Sequence, residues 1–398
     1  MFSCEQKCID WLLKRREVLL VLVITVIGGL ARLSGRGFIS VDARDYLLPW
    51  FDTIQQNGGL AALSEQVGNY NVFYQFLIAL MTYLPFPSLY MYKGLSMVFD
   101  IVRAAAVGWM VWRLGQRRSK PAAVLAYAAV FLLPATILNS GFWAQCDSIY
   151  TSFIVLALVC LFFDRPLSAF VLLGVGFAFK LQSIFILPFF VIYYLLRRKC
   201  SVLHFLIIPA VMMASAVPGY LAGRPLWEPF DIYLNQTETY SWMNANFPNV
   251  WCLFGSDYAL LQKLAIWLTI AALGMGLFFL LHLRTRLETA LEFLAVAAWS
   301  VWTCLMFLPS MHERYGYLLD ILLLVLMFLQ HDMWKFPAIT ITASTMTYKI
   351  YMISELINMA ALAVVCLAAY FYFTYTLAKL LLAQRARQES PCTVPVKG

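Results

Sequence analysis

"VFYQFLIALMTYLPFP", residues 72–87, is the stretch on which the topology turns. It is apolar enough to enter a bilayer, but it is short and ends in two prolines, whereas a spanning helix needs roughly 20 apolar residues. Taken as a crossing, it puts the first basic cluster on one side of the membrane and all the later ones on the other. Taken as a re-entrant or interfacial helix that does not cross, it brings them all to one side. "KRRE" at 14–17, "RLGQRRSK" at 113–120, "RRK" at 197–199, "HLRTR" at 282–286 and "QRAR" at 384–387 then all face the cytoplasm, as the positive-inside rule requires. Both termini lie inside, and two long loops, 34–88 and 223–256, lie outside.

The composition demands a membrane in any case. Of 398 residues, 62% are hydrophobic and only 13% charged, against roughly 25% charged in soluble domains. The expected fold is an all-α membrane protein, a polytopic helical bundle of about twelve transmembrane helices forming one domain over 1–398, with interfacial helices in the outer loops and a cytoplasmic tail at 384–398. The candidate spans are 17–33, 89–112, 121–138, 148–163, 167–179, 181–197, 203–222, 257–283, 287–308, 316–330, 334–352 and 356–383. The polar N-terminal segment precedes the first apolar run, and no small-residue cleavage site follows it, so that run reads as a retained signal anchor. A net charge of +8 sits in short clusters between apolar runs, a loop pattern that argues against nucleic-acid binding. Nine scattered cysteines, Cys4 to Cys392, without a C-x-x-C pair, argue against a disulfide framework or a zinc site. No fixed-period repeat is visible, and the Asn235 sequon matters only in a eukaryotic secretory compartment.

With this topology the conspicuous polar groups gather at the outer face: Asp42 and Asp45, the 139–147 cluster, Lys180 with Gln182, the "NQTETY" region and "MHERY" at 311–315. Side chains of this kind are costly in hydrocarbon, so one shared, wet, outward-facing site is the economical reading. In "SVDARDYLLPWFDTI", 40–54, Asp42 suits a general base taking a proton from a sugar hydroxyl, with Asp45 as helper or cap; the plainer alternative is a solvated acid or helix cap. In "NSGFWAQCDSIY", 139–150, a helix starting near Asp147 makes that residue an N-cap, while Gln145 and Asp147 could hold vicinal sugar hydroxyls and Trp143 could stack on a sugar face. Lys180 stands between two short spans at the end where positive-inside does not place lysines; it asks for an anion, and a lipid-linked phosphate lies at that depth. In "LPSMHERYGYLLD", 308–320, Arg314 offers a planar fork of donors for phosphate and His312 a further donor, unless Glu313 merely satisfies Arg314. A single outer histidine with dispersed acids is not metal-ligand spacing, so no metal is assigned, although an Asp-bound divalent cation is compatible with these residues. Lys93, Asp100 and Arg103 share one span, and their spacing predicts a buried pairing of Asp100 with both bases.

Together the early outer-loop Asp, the Asn…Trp-x-Gln-x-Asp junction, "FKLQ…P" and "MHERY" resemble the GT-C superfamily of polytopic glycosyltransferases, especially bacterial mannosyltransferase-like members and, more distantly, dolichyl-phosphate-glucose-dependent glucosyltransferases. The likeness covers residues 40 to 320. It implies transfer of a hexose from a polyprenyl-phosphate donor to a lipid-linked glycan, cell-surface polysaccharide or protein acceptor, at the extracytoplasmic face of the cell membrane. It places Asp42 at the catalytic Asp, with Lys180, His312 and Arg314 toward the donor phosphate. One departure matters: related loops often read Gly-Asp-Tyr where this chain has Val41-Asp42-Ala43, which keeps Asp45 open as the base. A phosphate leaving group needs no strong general acid, so a carboxylate base and cationic stabilisation suffice, and direct attack inverts the anomeric carbon. The rival readings are a transporter or flippase of lipid-linked sugars, which needs polar groups near the midplane, and a non-catalytic partner of a glycosylation machine.

Overall fold

The computed structural model describes residues 3–115, 119–239, 241–353 and 357–389. Parts of two expected features, 116–118 of the basic cluster and 390–398 of the tail, lie outside the described residues, as does Tyr240. The chain is mostly helical, with a two-residue parallel ladder of Asn244–Ala245 on Met311–His312. Among the described residues, four helices are long and apolar enough to cross a membrane: Ser88–Leu114, Tyr258–His282, Ala290–Phe307 and Met359–Ala386. A fifth arises if Lys120–Phe131 and Pro134–Trp143, bent by 53° at Leu132–Leu133, count as one span. Other expected spans are helical but shorter, such as Asp147–Phe162, Pro166–Phe179 and Tyr317–Leu329, or carry more polar residues, such as Arg16–Leu33 and Lys335–Ile353.

Helix Ala290–Phe307 is the centre of the bundle. A capping box starts it: the Thr289 hydroxyl accepts from Glu292 N, and the Glu292 carboxylate accepts from Thr289 N. From Glu292 to Phe307 every residue is buried, so it has no polar face at all, as a helix surrounded by other helices should. Pro309 ends it. Its last carbonyls are met from outside: Trp251 Nε1 donates to Phe307 O at 2.8 Å, and the Asn249 amide donates to Leu305 O and Leu308 O at 3.4 and 3.3 Å. At the other extreme, Tyr258–His282 buries only Ala265, Thr269 and Leu280. Its Leu260, Trp267 and Phe278 are about 70% exposed, an outward apolar row that water would not tolerate on a monomer and that lipid solvates. The chain is a membrane protein.

The decisive stretch 72–87 forms one helix, Val72–Met81. Ten residues rise about 15 Å, half of a hydrocarbon core. The Asn71 side chain caps it, accepting from Val72 N at 2.8 Å, and donates to Pro229 O at 2.9 Å. Arg224 donates to Gln66 Oε1 and Gln75 Oε1 at 3.0 and 3.1 Å, and Gln236 donates to Asn69 O at 2.9 Å. The two long loops are therefore sewn to each other rather than solvated separately.

Asp100 corrects one sequence expectation. It pairs with Arg103 at 3.0 Å, as expected, but its other partner is Arg32, at 2.8 Å, not Lys93. Lys93 instead donates to the carbonyls of Gly35 and Phe38, both at 2.7 Å, and so closes the end of the first long helix. Ser140 Oγ, at 2.5 Å, and Tyr317 OH, at 3.4 Å, complete the shell of Asp100. Gly141 permits this contact, because a Cβ there would stand 2.9 Å from Arg32 Cα.

Candidate functional site

The groups flagged at helix junctions converge above the Asp100 cluster. Asp42 comes from the turn that follows the first long helix. Ser40 begins that turn: its Oγ accepts from Ala43 N at 3.1 Å and donates to Trp143 O at 2.9 Å, which couples the Asp42 segment to the 139–147 junction. The junction itself is tight. The wide turn Leu138–Trp143 ends at Ala144, a non-glycine residue at φ 65°, and Gln145 N closes on Asn139 O at 3.0 Å. A left-handed alanine costs about 1 kcal/mol. In return, both Trp143 and Gln145 face Asp42: Trp143 Nε1 and Gln145 Nε2 donate to Asp42 Oδ2 at 2.9 and 2.7 Å.

This geometry revises three expected roles. Trp143 is fully buried, with its ring edge-on to Tyr348 at 5.1 Å, so it holds a carboxylate and presents no face to a sugar. Asp147 is the first residue of its helix, whose cap is Cys146. Its carboxylate caps nothing and instead accepts from Asn139 Nδ2 at 2.8 Å and from Lys180 Nζ at 2.5 Å. The anion that Lys180 asks for is thus supplied from within the chain. Lys180 reaches it because helix Pro166–Phe179 breaks there, with Lys180 extended at φ −154° before the tight turn Leu181–Ile186.

Arg314 enters from the "MHERY" segment. Pairing of Met311–His312 with Asn244–Ala245, and Glu313 N donating to Ala245 O at 3.1 Å, fix the backbone just before it. Its guanidinium lies 3.5 Å from Asp42, 3.4 Å from Glu313 and 3.8 Å from Asp147, and 5.4 Å from the Trp143 ring. All three carboxylate contacts are longer than a charge-assisted hydrogen bond, and the buried Nε makes no hydrogen bond. Burial pushes the Glu313 carboxyl up to about 7 despite Arg314. Burial, aided by the positive charges of Arg314 and Lys180, pushes His312 down to about 3, so His312 is a neutral imidazole. Gln182 Nε2 donates to Tyr315 OH at 2.8 Å.

Lys180, Gln182 and Arg314 share a cavity of about 300 Å³ with Tyr70, Phe185, Tyr258, Ile266 and Leu308. One end is cationic; Asn69, Gln236, Thr237 and Ser310 add polar groups to a wall that is otherwise mainly apolar and includes Ile266 of the outward-facing helix. Asp45 is not part of this arrangement: it is exposed and bound side-on by Arg44, at 2.6 and 3.1 Å, which lowers its pKa. Sequence reasoning missed Tyr70, whose OH donates to Gln145 Oε1 at 3.2 Å, and Tyr348, whose OH meets Asn139 at 3.0 Å. Isolated tyrosines in a chain with 21 of them carry no signal of their own. Among the described residues, no group of three or more His, Cys, Asp or Glu side chains is placed to hold a metal ion. No protein-family model matches the chain, and no curated protein matches it.

Proposed function

We propose that the protein is an inverting glycosyltransferase that moves a hexose from a polyprenyl-phosphate donor to an acceptor hydroxyl at the outer face of the membrane. The observation that carries this reading is Arg314: a buried guanidinium with long carboxylate contacts, at the cationic end of a cavity whose wall is mainly apolar with a polar side of Asn69, Gln236, Thr237 and Ser310. Such a cavity suits a ligand with a phosphate at one end and an isoprenoid chain at the other.

In this reaction Asp42 takes the proton of the acceptor hydroxyl, whose oxygen attacks the anomeric carbon while the bond from that carbon to the phosphate oxygen breaks. Arg314 stabilises the departing phosphate, and Lys180, paired with Asp147 at the same end of the cavity, adds positive charge there; His312 does not line that cavity. Trp143 and Gln145 hold Asp42, and Asn139 holds Asp147, which in turn holds Lys180. The competing reading, a transporter of lipid-linked sugars, needs a polar route onward through the bundle. Against it, the polar groups beneath the site, Asp100 with Arg32 and Arg103, are paired with one another and fully buried, and do not line the cavity.

The test is incubation of the purified protein with a panel of polyprenyl-phosphate hexoses and glycan acceptors, following donor consumption. Wild type and Asp45→Asn should consume one donor, and Asp42→Asn should lose about a hundredfold or more of the rate while still binding it. Near-normal turnover in Asp42→Asn beside a dead, folded Asp45→Asn transfers the base to Asp45. Donor export without glycosidic product supports the transporter.

A further inference from the structure

A second cleft lies at the far end of the bundle. Leu181–Arg197 runs from the candidate site for about 25 Å, and Tyr258–His282 runs from Tyr258, which lines the candidate cavity, toward the same far end. Where these helices stop, a cleft of about 460 Å³ is lined by Arg197, Arg198, Lys199, Arg284 and Arg286, with Glu288 the acid of its wall. Arg197 and Lys199 share Asp164, at 3.0 and 3.6 Å, and Arg286 faces Glu288 at 3.8 Å. Among the described residues, Arg198 and Arg284 form no ion pair. Five basic side chains thus meet two acids, Asp164 and Glu288, an excess of three positive charges.

The backbone gives an independent observation. Arg198 and Arg284 each end a helix in the left-handed conformation, at φ 53° and 54°. Glycine is the usual residue there because a Cβ is strained. Two arginines at two glycine positions, both opening onto one cleft, are unfavourable for the fold and placed for a ligand. Leu195, Leu196 and Leu281 form the remaining wall, so the cleft begins where the lipid-facing surface ends, at headgroup depth.

We propose that this cleft binds a phosphate-bearing anion, in the membrane the headgroup of an anionic phospholipid. The proposal does not depend on the reaction assigned above. Basic pockets at helix ends recognise such headgroups by charge and donor number, and each basic residue contributes roughly fivefold.

The test uses full-length protein in neutral detergent, offered phosphatidylglycerol and phosphatidylcholine, with retained lipid read by native mass spectrometry. Wild type should retain phosphatidylglycerol preferentially. Arg198→Gly combined with Arg284→Gly should lower that retention about 25-fold, while the unfolding midpoint stays level or rises, because glycine relieves both strained positions. Arg36→Gln, which removes an exposed charge at the candidate-site end, should change nothing. Inorganic pyrophosphate is the second probe. If it binds wild type, fails on the double variant, and phosphatidylglycerol is not retained, the phosphate site stands and its source is a soluble compound. Equal binding of either probe to wild type and double variant overturns the proposal, as does the absence of binding to wild type. Retention by wild type must also fall steeply with added salt, a check that needs no variant, and salt-insensitive retention overturns the assignment as well.

Discussion

Two of the clusters in which acids meet bases are built differently. Around Asp100, Arg32 and Arg103 approach to 2.8 and 3.0 Å, Ser140 Oγ to 2.5 Å, and the cluster is sealed inside the bundle. Around Asp42 and Asp147, Arg314 stays 3.4 to 3.8 Å from its acids and borders a cavity. The residue types are the same. Unused donors occur in both, Arg103 Nε and Nη1 below and Arg314 Nε above, so what separates structural support from chemistry is adjoining space and the long contacts of Arg314: the first cluster is enclosed by the bundle, whereas the second borders a cavity.

Asp100→Ala should break the comparison most visibly. It leaves two buried guanidiniums uncompensated, at a cost of about 3–5 kcal/mol, seen as a large drop in unfolding midpoint. Asp42→Ala, at a partly exposed carboxylate, should cost less than about 1 kcal/mol. Equal losses would erase the distinction. Next in size, Arg314→Lys should raise the donor KM about tenfold to a hundredfold without unfolding the protein, because an ammonium cannot reproduce the planar fork. If Arg314→Lys unfolds the protein and leaves the donor KM of the folded fraction unchanged, the upper cluster is as structural as the lower.

Glu313 sharpens the comparison through pH. Its folded pKa, about 7, exceeds its ordinary value of 4.5, so the folded state holds the proton more tightly. The stability this contributes is fully present below pH 4.5 and is lost as pH rises to about 7. Glu313→Gln, permanently neutral, should therefore gain roughly 1–3 kcal/mol over wild type above that pH and nothing at the acid end. Thermal unfolding in acid and in mild base measures the difference, and a variant weaker in base contradicts it. The smallest expected effect belongs to Ser40→Ala, about 1 kcal/mol, with a severalfold fall in turnover as the turn carrying Asp42 loses its anchor on the Trp143 carbonyl while the Trp143 Nε1 bond to Asp42 stays. Hydrogen exchange should rise at Ala43, and an unchanged rate there would remove Ser40 from this role.

The helices were legible because apolar runs bounded by basic clusters need no partner to be recognised. The 72–87 segment reads as non-crossing from its length, its prolines and the basic clusters around it, and it forms a helix of ten residues, Val72–Met81. Pairing was not: Arg32 meets Asp100 across 68 residues and Lys180 meets Asp147 across 33, with no local spacing to announce either. The sequence marked Lys180 and Asp147 separately as candidates, but only the break at Lys180 brings them together. Asp42 and Asp45 are three residues apart on one turn. Their difference arises from what each faces, Arg44 for one and the 139–147 junction for the other. Trp143 was misassigned for a related reason: an aromatic beside polar residues looks like a sugar platform until its burial is known.

Helix Tyr258–His282 buries three of its 25 residues against the protein. Most of its packing partners are therefore acyl chains, which makes the bilayer a component of the tertiary structure along this edge. Changing lipid thickness or replacing lipid with detergent acts on this helix as a set of simultaneous side-chain substitutions would, while Ala290–Phe307, enclosed by protein, experiences none of it. Chain-length dependence should thus reach the cavity through this edge, by way of Tyr258 and Ile266, where the helix forms the cavity wall.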